Sequence, residues 1–127
     1  MSRVVLDASA LLALLNAEPG SEQVARALPN AVIGSVNLAE VVAKLSEHGM
    51  PDEAIHETLE GLGLVVCAFD AELAYVAGLL RRSTRSVGLS LGDRACLALG
   101  RRLALPVLTA DRTWATLKVG VKVRLIR

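Results

Sequence analysis

Aromatic side chains are nearly missing from this sequence: its 127 residues hold one Trp, one Tyr and one Phe. That scarcity argues against a surface that grips nucleic acid by stacking bases on rings, and it leaves the core to Leu, Val and Ala. Cysteine is almost as sparse. Cys67 lies in an apolar run and Cys96 on an apolar helical stripe, and neither has a Cys or His nearby at metal-ligand spacing. Both read as small core residues, and two unpaired thiols suit a reducing compartment. His48 and His56 have no Cys partners, which argues against zinc.

Long apolar runs are lacking too. No uninterrupted apolar segment approaches the ~18–20 residues that span a membrane, and Asp7 breaks the stretch after Arg3 that might otherwise resemble a signal peptide. A soluble, cytoplasmic chain without membrane association is expected. There is no Ser-His-Asp set and no glycine-rich phosphate loop, since Gly61-x-Gly63 lacks a third glycine and precedes a strand pattern. With no repeat, linker or low-complexity tract, residues 1–127 read as one domain.

What is present is aliphatic and unevenly charged. Apolar residues make up 53% of the chain, and the net charge is only +1. Residues 1–72 carry 3 basic and 11 acidic side chains, whereas residues 73–127 carry 11 basic and 2 acidic ones. Such asymmetry suggests a basic face suited to a polyanion. The two acids of the basic segment are Asp93 and Asp111.

Periodicity predicts an alternation of strands and helices. Arg3–Asp7 reads as a buried strand ending at an acid, and Ala8–Leu15 as a helix that stops before Glu18-Pro19-Gly20. A short helix from Ser21 and a strand over Ala31–Gly34 follow. The third helix starts at Ser35 or Asn37 and runs to His48, and the fourth covers Asp52–Glu60. Leu64–Ala68 is a third strand, and Asp70 caps a fifth helix with Leu73, Val76, Ala77 and Leu80 inward. Arg81, Arg82 and Arg85 are placed in a polar loop. A helix from Leu91 buries a stripe of Cys96, Leu97, Gly100, Leu103 and Ala104 with Asp93 in its midst, while Arg94, Arg101 and Arg102 point elsewhere. A strand at Val107-Leu108, a short helix over Arg112–Lys118 and an edge strand over Val121–Leu125 complete the order. This succession predicts a three-layer α/β/α sandwich around a central parallel sheet.

Four acids stand where a strand hands over to a helix, or in a helix's first turn: Asp7, Glu40, Asp93 and Asp111. Open α/β sheets bind ligands at that edge. A purely local alternative exists for two of them, because Ser90-x-x-Asp93 fits a capping box and Asp111 fits an N-cap. Clustered carboxylates repel unless a cation joins them, and oxygen-only ligands suit Mg²⁺, with Mn²⁺ able to substitute. Metal-activated water attacking a phosphodiester is the chemistry that needs only these residues, and it leaves a 5′-phosphate and a 3′-hydroxyl.

The motifs Val4-Val5-Leu6-Asp7-Ala8-Ser9-Ala10-Leu11, Val36-Asn37-Leu38-Ala39-Glu40-Val41, Leu89-Ser90-Leu91-Gly92-Asp93-Arg94-Ala95 and Leu108-Thr109-Ala110-Asp111-Arg112-Thr113-Trp114 follow one another in order. Together they resemble PIN-domain ribonucleases, especially the VapC-type toxins of toxin–antitoxin pairs, over nearly the whole chain. The resemblance implies strand order 3-2-1-4-5 and an Mg²⁺-dependent endoribonuclease. It also implies a Mg²⁺-holding quartet of Asp7, Glu40, Asp93 and Asp111, with Ser9 and Thr109 as supporting hydroxyls. An RNA substrate, a cognate antitoxin and a homodimer are implied as well. Some members carry a further acid where this chain has Thr113. Two other readings are a PIN-like RNA-binding module without catalysis and an aspartyl-phosphate phosphotransfer protein. The latter has only one acid in Asp7-Ala8-Ser9 to use.

Arg81, Arg82, Arg85 and Arg112 are expected to contact the RNA backbone, because guanidinium groups pair well with phosphate oxygens. If Glu40 faces the metal, Val36, Ala39 and Ala43 are expected to turn inward with it, leaving Leu38, Val41, Val42 and Leu45 on the far side. Those four would then either be covered by the fourth helix within the chain or line an apolar groove, with the fourth helix and the short second one, for an antitoxin. Leu79 and Leu80 of the fifth helix mark the expected dimer face.

Overall fold

A computed structural model describes residues 3–127. The elements are β1 (Val4–Leu6), α1 (Ala8–Leu15), α2 (Ser21–Ala27), β2 (Ala31–Gly34), α3 (Ser35–Glu47), α4 (Asp52–Glu60), β3 (Val65–Cys67), α5 (Ala71–Ser83), α6 (Leu91–Leu103), β4 (Val107–Thr109) and β5 (Val123–Leu125). Short 3₁₀ turns span Leu28–Asn30 and Arg112–Thr116. The five strands form one parallel sheet in the order β3-β2-β1-β4-β5. The three-layer sandwich and the 3-2-1-4-5 order are therefore as expected.

Strand alternation explains the layering. Val4, Leu6, Ile33 and Leu108 project into a core with α1, α2, α3 and α4, through Leu11, Val24, Val41 and Ile55. Their neighbours Val5, Val32 and Val107 project to the other face, against Leu73, Ala77, Leu97, Leu99 and Trp114 of α5, α6 and the second 3₁₀ turn. A parallel strand covered on both faces needs this continuous aliphatic run. Close contact between α6 and the sheet depends on Gly100, where a Cβ would lie 2.6 Å from Val107 Cγ2.

Several local expectations are corrected. Arg81 and Arg82 lie in the last turn of α5, not in a loop, because the helix continues to Ser83. The last strand begins at Val123, not Val121. Arg94 is buried, and its Nη1 donates to the Ala77 carbonyl of α5 at 2.8 Å. Cys67 is half-buried on the outer strand β3, while Cys96 is fully enclosed. The buried line of α3 is Asn37, Val41 and Leu45, whereas Ala39 and Ala43 are exposed. Glu40 borders that line on one flank, and Leu38 and Val42 border it on the other. Packing on the first core decides the rotation of α3, and it seats Val41 and Leu45 within their own chain. In α5, Leu80 is buried, so the exposed apolar residues are Tyr75 and Leu79, at 75% and 77%.

Candidate functional site

Asp7 directly follows β1 and is only 4% exposed. Ser9 Oγ donates to Asp7 Oδ2 at 2.6 Å, and Thr109 Oγ1 donates to the same oxygen at 2.9 Å. Each hydroxyl also accepts a backbone N–H from the loop after β4: Ala110 N–H reaches Ser9 Oγ at 2.9 Å, and Asp111 N–H reaches Thr109 Oγ1 at 3.1 Å. Because β1 and β4 are parallel neighbours, both end at the same edge, and these short hydroxyls lace the two ends together. Burial raises the Asp7 carboxyl from its ordinary 3.8 to about 6. The two hydroxyl donors oppose that rise, and the charges of Asp93 and Glu40 add to it.

Glu40 approaches from α3. Asn37, fully enclosed one turn earlier, donates through Nδ2 to Glu40 Oε1 at 2.9 Å and to the Gly92 carbonyl of α6 at 3.0 Å. Burial raises the Glu40 carboxyl, the Asn37 amide lowers it, and the charge of Asp93 raises it again. Asp93 sits in the first turn of α6. Its Oδ2 accepts from Ser90 N–H at 3.0 Å while its own N–H donates to Ser90 Oγ at 3.2 Å, closing a capping box. Asp93 is thus a helix cap that also lies within electrostatic reach of Asp7 and Glu40.

Asp7, Glu40 and Asp93 are brought together closely enough to act on one another electrostatically. Asp111 joins them only through its backbone and Thr109. Its carboxylate Oδ1 accepts from Thr113 N–H at 2.9 Å and from Thr113 Oγ1 at 2.7 Å, capping the second 3₁₀ turn. Among the described residues, no three or more His, Cys, Asp or Glu side chains stand preassembled to hold a metal ion. The donor chemistry nonetheless fits a hard divalent cation. The oxygens are all carboxylate, and the buried Asp7, with Glu40 and Asp93 near it, carries like charge that a cation would relieve.

The four arginines singled out from the sequence are all exposed, and among the described residues no ion pair engages them. Arg112 donates from Nη1 to the Arg127 carbonyl at 2.9 Å. Arg102 is occupied by Asp70 and Glu72 at 2.8 and 3.3 Å. The residue that the sequence reading missed is Asn37. Its signal was a polar side chain in line with Val41 and Leu45, three residues before an acid of the same helix.

On the opposite flank of α3 an apolar groove of about 530 Å³ runs between α3, α4 and β3, floored by Leu38, Val42, Ile55, Leu59, Leu64 and Val66. An apolar groove is present, but of the four residues expected to line it only Leu38 and Val42 do, since Val41 and Leu45 are buried in the core, and β3 stands in place of α2 as its wall. Val65 and Val66 of that outer strand are 53% and 46% exposed. Among the described residues, no helix is long and apolar enough to cross a membrane.

Known proteins share this fold. A toxin–antitoxin complex from Klebsiella pneumoniae superposes with a TM-score of 0.77 at 18% identity, covering 98% of each chain. DNA-bound VapBC from Salmonella typhimurium gives 0.76 at 19% identity over 100% of both chains. VapC20 of Mycobacterium tuberculosis, a sarcin–ricin loop cleaving toxin, gives 0.71 at 18% identity, covering 94% of this chain and 98% of that one. At such identities the likeness is one of fold. No curated protein sequence matches the chain. A family model described as the PIN domain matches residues 4–119. That match runs from β1 through the turn after Trp114 and leaves only the outer strand β5 beyond it, and on this extent the chain belongs to the PIN-domain family.

Proposed function

We propose that the chain is a divalent-metal-dependent endoribonuclease, a toxin of the VapC type that a cognate antitoxin silences. The observation that carries this reading is the buried Asp7 carboxylate, held by two hydroxyls and crowded by Glu40 and Asp93 at the carboxyl edge of the sheet. An aliphatic fold that needs only stability would not gather acids there, because burying like charges opposes folding.

Asp7 and Asp93 are the principal metal ligands in this reading, and Glu40 and Asp111 complete the set. Mg²⁺ is the natural ion and Mn²⁺ a substitute. A divalent ion bound there supplies a more acidic water and offsets charge on the phosphate under attack. Ser9 and Thr109 hold Asp7 Oδ2 in place, so its remaining oxygen is free for the ion. Thr113 steers the Asp111 carboxylate. Arg81, Arg82, Arg85 and Arg112 contact the RNA backbone, as exposed guanidinium groups suited to phosphate.

The α3–α4–β3 groove takes the antitoxin, and the α5 face bearing Tyr75 and Leu79 joins two copies. The test is cleavage of total RNA in Mg²⁺ and in EDTA, followed by mapping of the new ends. Magnesium-dependent 5′-monophosphate and 3′-hydroxyl ends are expected. Ends bearing 2′,3′-cyclic phosphate, or cutting that persists in EDTA, would refute the mechanism.

A further inference from the structure

We infer that Asn37 and Gly92 are a matched pair of positioning residues, and that together they fix the Glu40 carboxylate against the start of α6 for cation binding. This rests on the nuclease reading above, and it assigns a role to two residues outside the acidic quartet.

Both amide protons of Asn37 are committed to acceptors: one to Glu40 Oε1 at 2.9 Å, the other to the Gly92 carbonyl at 3.0 Å. Since neither partner can donate, the orientation of the amide is fixed by chemistry. Its own carbonyl, Oδ1, is left buried without a hydrogen-bond partner. A buried acceptor without a partner is unfavourable, and an apolar side chain of similar size would fill the space without that penalty. What Asn37 offers in return is its pair of donors, which tie the acid of α3 to the helix turn that carries Asp93. The tie spans 55 residues of sequence, so it sets the relation of two helices as well as one rotamer.

Gly92 is the other half of the device. A Cβ at that position would land on the Glu40 carboxylate, with Cδ 2.5 Å away. Glu40 therefore lies flat against the backbone immediately before Asp93, and a Cβ there would push its carboxylate aside. Glycine is otherwise a poor choice inside the first turn of a helix, and its backbone here is ordinary helix, not a left-handed conformation. The close approach of Glu40 is the feature that requires it. The amide pulls Glu40 and α6 together, and the missing side chain lets them meet.

The test uses thermal melts of the full-length protein in EDTA and across a Mn²⁺ titration, for wild type, Asn37→Leu and Gly92→Ala. Neither substitution removes a carboxylate. In EDTA both variants should melt close to wild type, because leucine removes the orphaned carbonyl and alanine favours the helix. The Mn²⁺ concentration at half-maximal stabilisation should rise about 10- to 100-fold in each, the range seen when groups that orient metal ligands are removed. An unchanged Mn²⁺ midpoint in the variants, beside a clear response in wild type, overturns the positioning role alone. A wild-type chain that Mn²⁺ does not stabilise overturns it together with the nuclease reading. If Asn37→Leu fails to fold, Gly92→Ala decides in the same way, since an unchanged midpoint there overturns the pair.

Discussion

At the carboxyl ends of β1 and β4 the chain buries charge, and on the far flank of α3 it exposes apolar surface. Asp7, inside the first region, is 4% exposed and surrounded by hydroxyls and two further acids. Val66, which lines the second, and its neighbour Val65 are about half exposed on an outer strand. The other outer strand, β5, shows that the exposure is not a general property of the sheet's margins. There Arg124 faces solvent between two half-buried neighbours, Val123 and Leu125, as a charge-protected edge should. Each of the two contrasting regions is unfavourable for the isolated chain in its own way, and each is relieved by a partner of opposite character. The acidic corner calls for a cation, and the groove calls for apolar surface.

The sharpest way to break this comparison is to remove the charge. Asp7→Asn, Glu40→Gln, Asp93→Asn and Asp111→Asn should each lower RNA cleavage by at least about 100-fold, beyond the usual effect of a second-layer change. Asp7→Asn should also stabilise the metal-free protein. Because the folded carboxyl titrates near 6 instead of 3.8, the folded state binds the extra proton between those values. Wild-type stability from this group therefore falls as pH rises from about 4 to about 6, and stays low above that. The amide, which does not titrate, should exceed wild type by about 3 kcal/mol at pH 7 and have no advantage near pH 4. Denaturant melts in EDTA at the two pH values measure the difference, and equal stability at pH 7 would mean that the burial is not costly.

The second region is probed by charging its floor. Val42→Asp should leave the fold intact, since Val42 is 36% exposed in its own chain. It should weaken binding of the antitoxin that the proposed toxin reading requires. The expected weakening is about 10- to 100-fold, the equivalent of one apolar side chain denied burial. Calorimetric titration of the two proteins would show it, and undiminished affinity would move the antitoxin to another surface.

The smallest effect belongs to the basic surface. Replacing Arg81, Arg82 and Arg85 by Ala should weaken RNA binding similarly for all sequences and flatten its salt dependence, by a slope of about 1 for each phosphate left without its guanidinium. Filter binding at several salt concentrations, using Asp7→Asn as an uncut background, would reveal an unchanged slope if these side chains do not touch RNA.

Most of the architecture could be read from local pattern. β1, β2 and β4 are aliphatic runs that end in Asp7, Gly34 and Thr109, and helix starts such as Asp70 and Ser90 carry side chains that accept their own backbone N–H groups. The rotation of α3 was not readable in that way. Glu40 invites the inference that its neighbours at helical spacing turn inward, yet the line Asn37–Val41–Leu45 is what packs, because the core beneath α3 accepts Val and Leu there. Asn37 escaped notice for a related reason. In sequence it resembles a helix-start residue, and the carbonyl that explains it belongs to Gly92, far along the chain. Arg94 is a third case. The pattern of α6 sent it to solvent, but α5 lies across it and offers the Ala77 carbonyl. What escaped detection in these three cases was a partner from a distant segment, whereas the end of α5 and the start of β5 were misjudged locally.

The hydroxyl lacing between β1 and β4 has a consequence in time. Asp7 leaves the ribosome 102 residues before the Thr109 hydroxyl that steadies it. Until then β1 has β2 on one side and an open margin on the other, and Asp93 and Asp111 are also products of late synthesis. Domains acquire their tertiary structure as units once the required segments have emerged. The acidic corner is thus not complete until Thr109 has been made. A chain still attached to the ribosome carries its earliest acid long before it carries the group that holds that acid in place, so an aborted translation product ends as an unassembled corner.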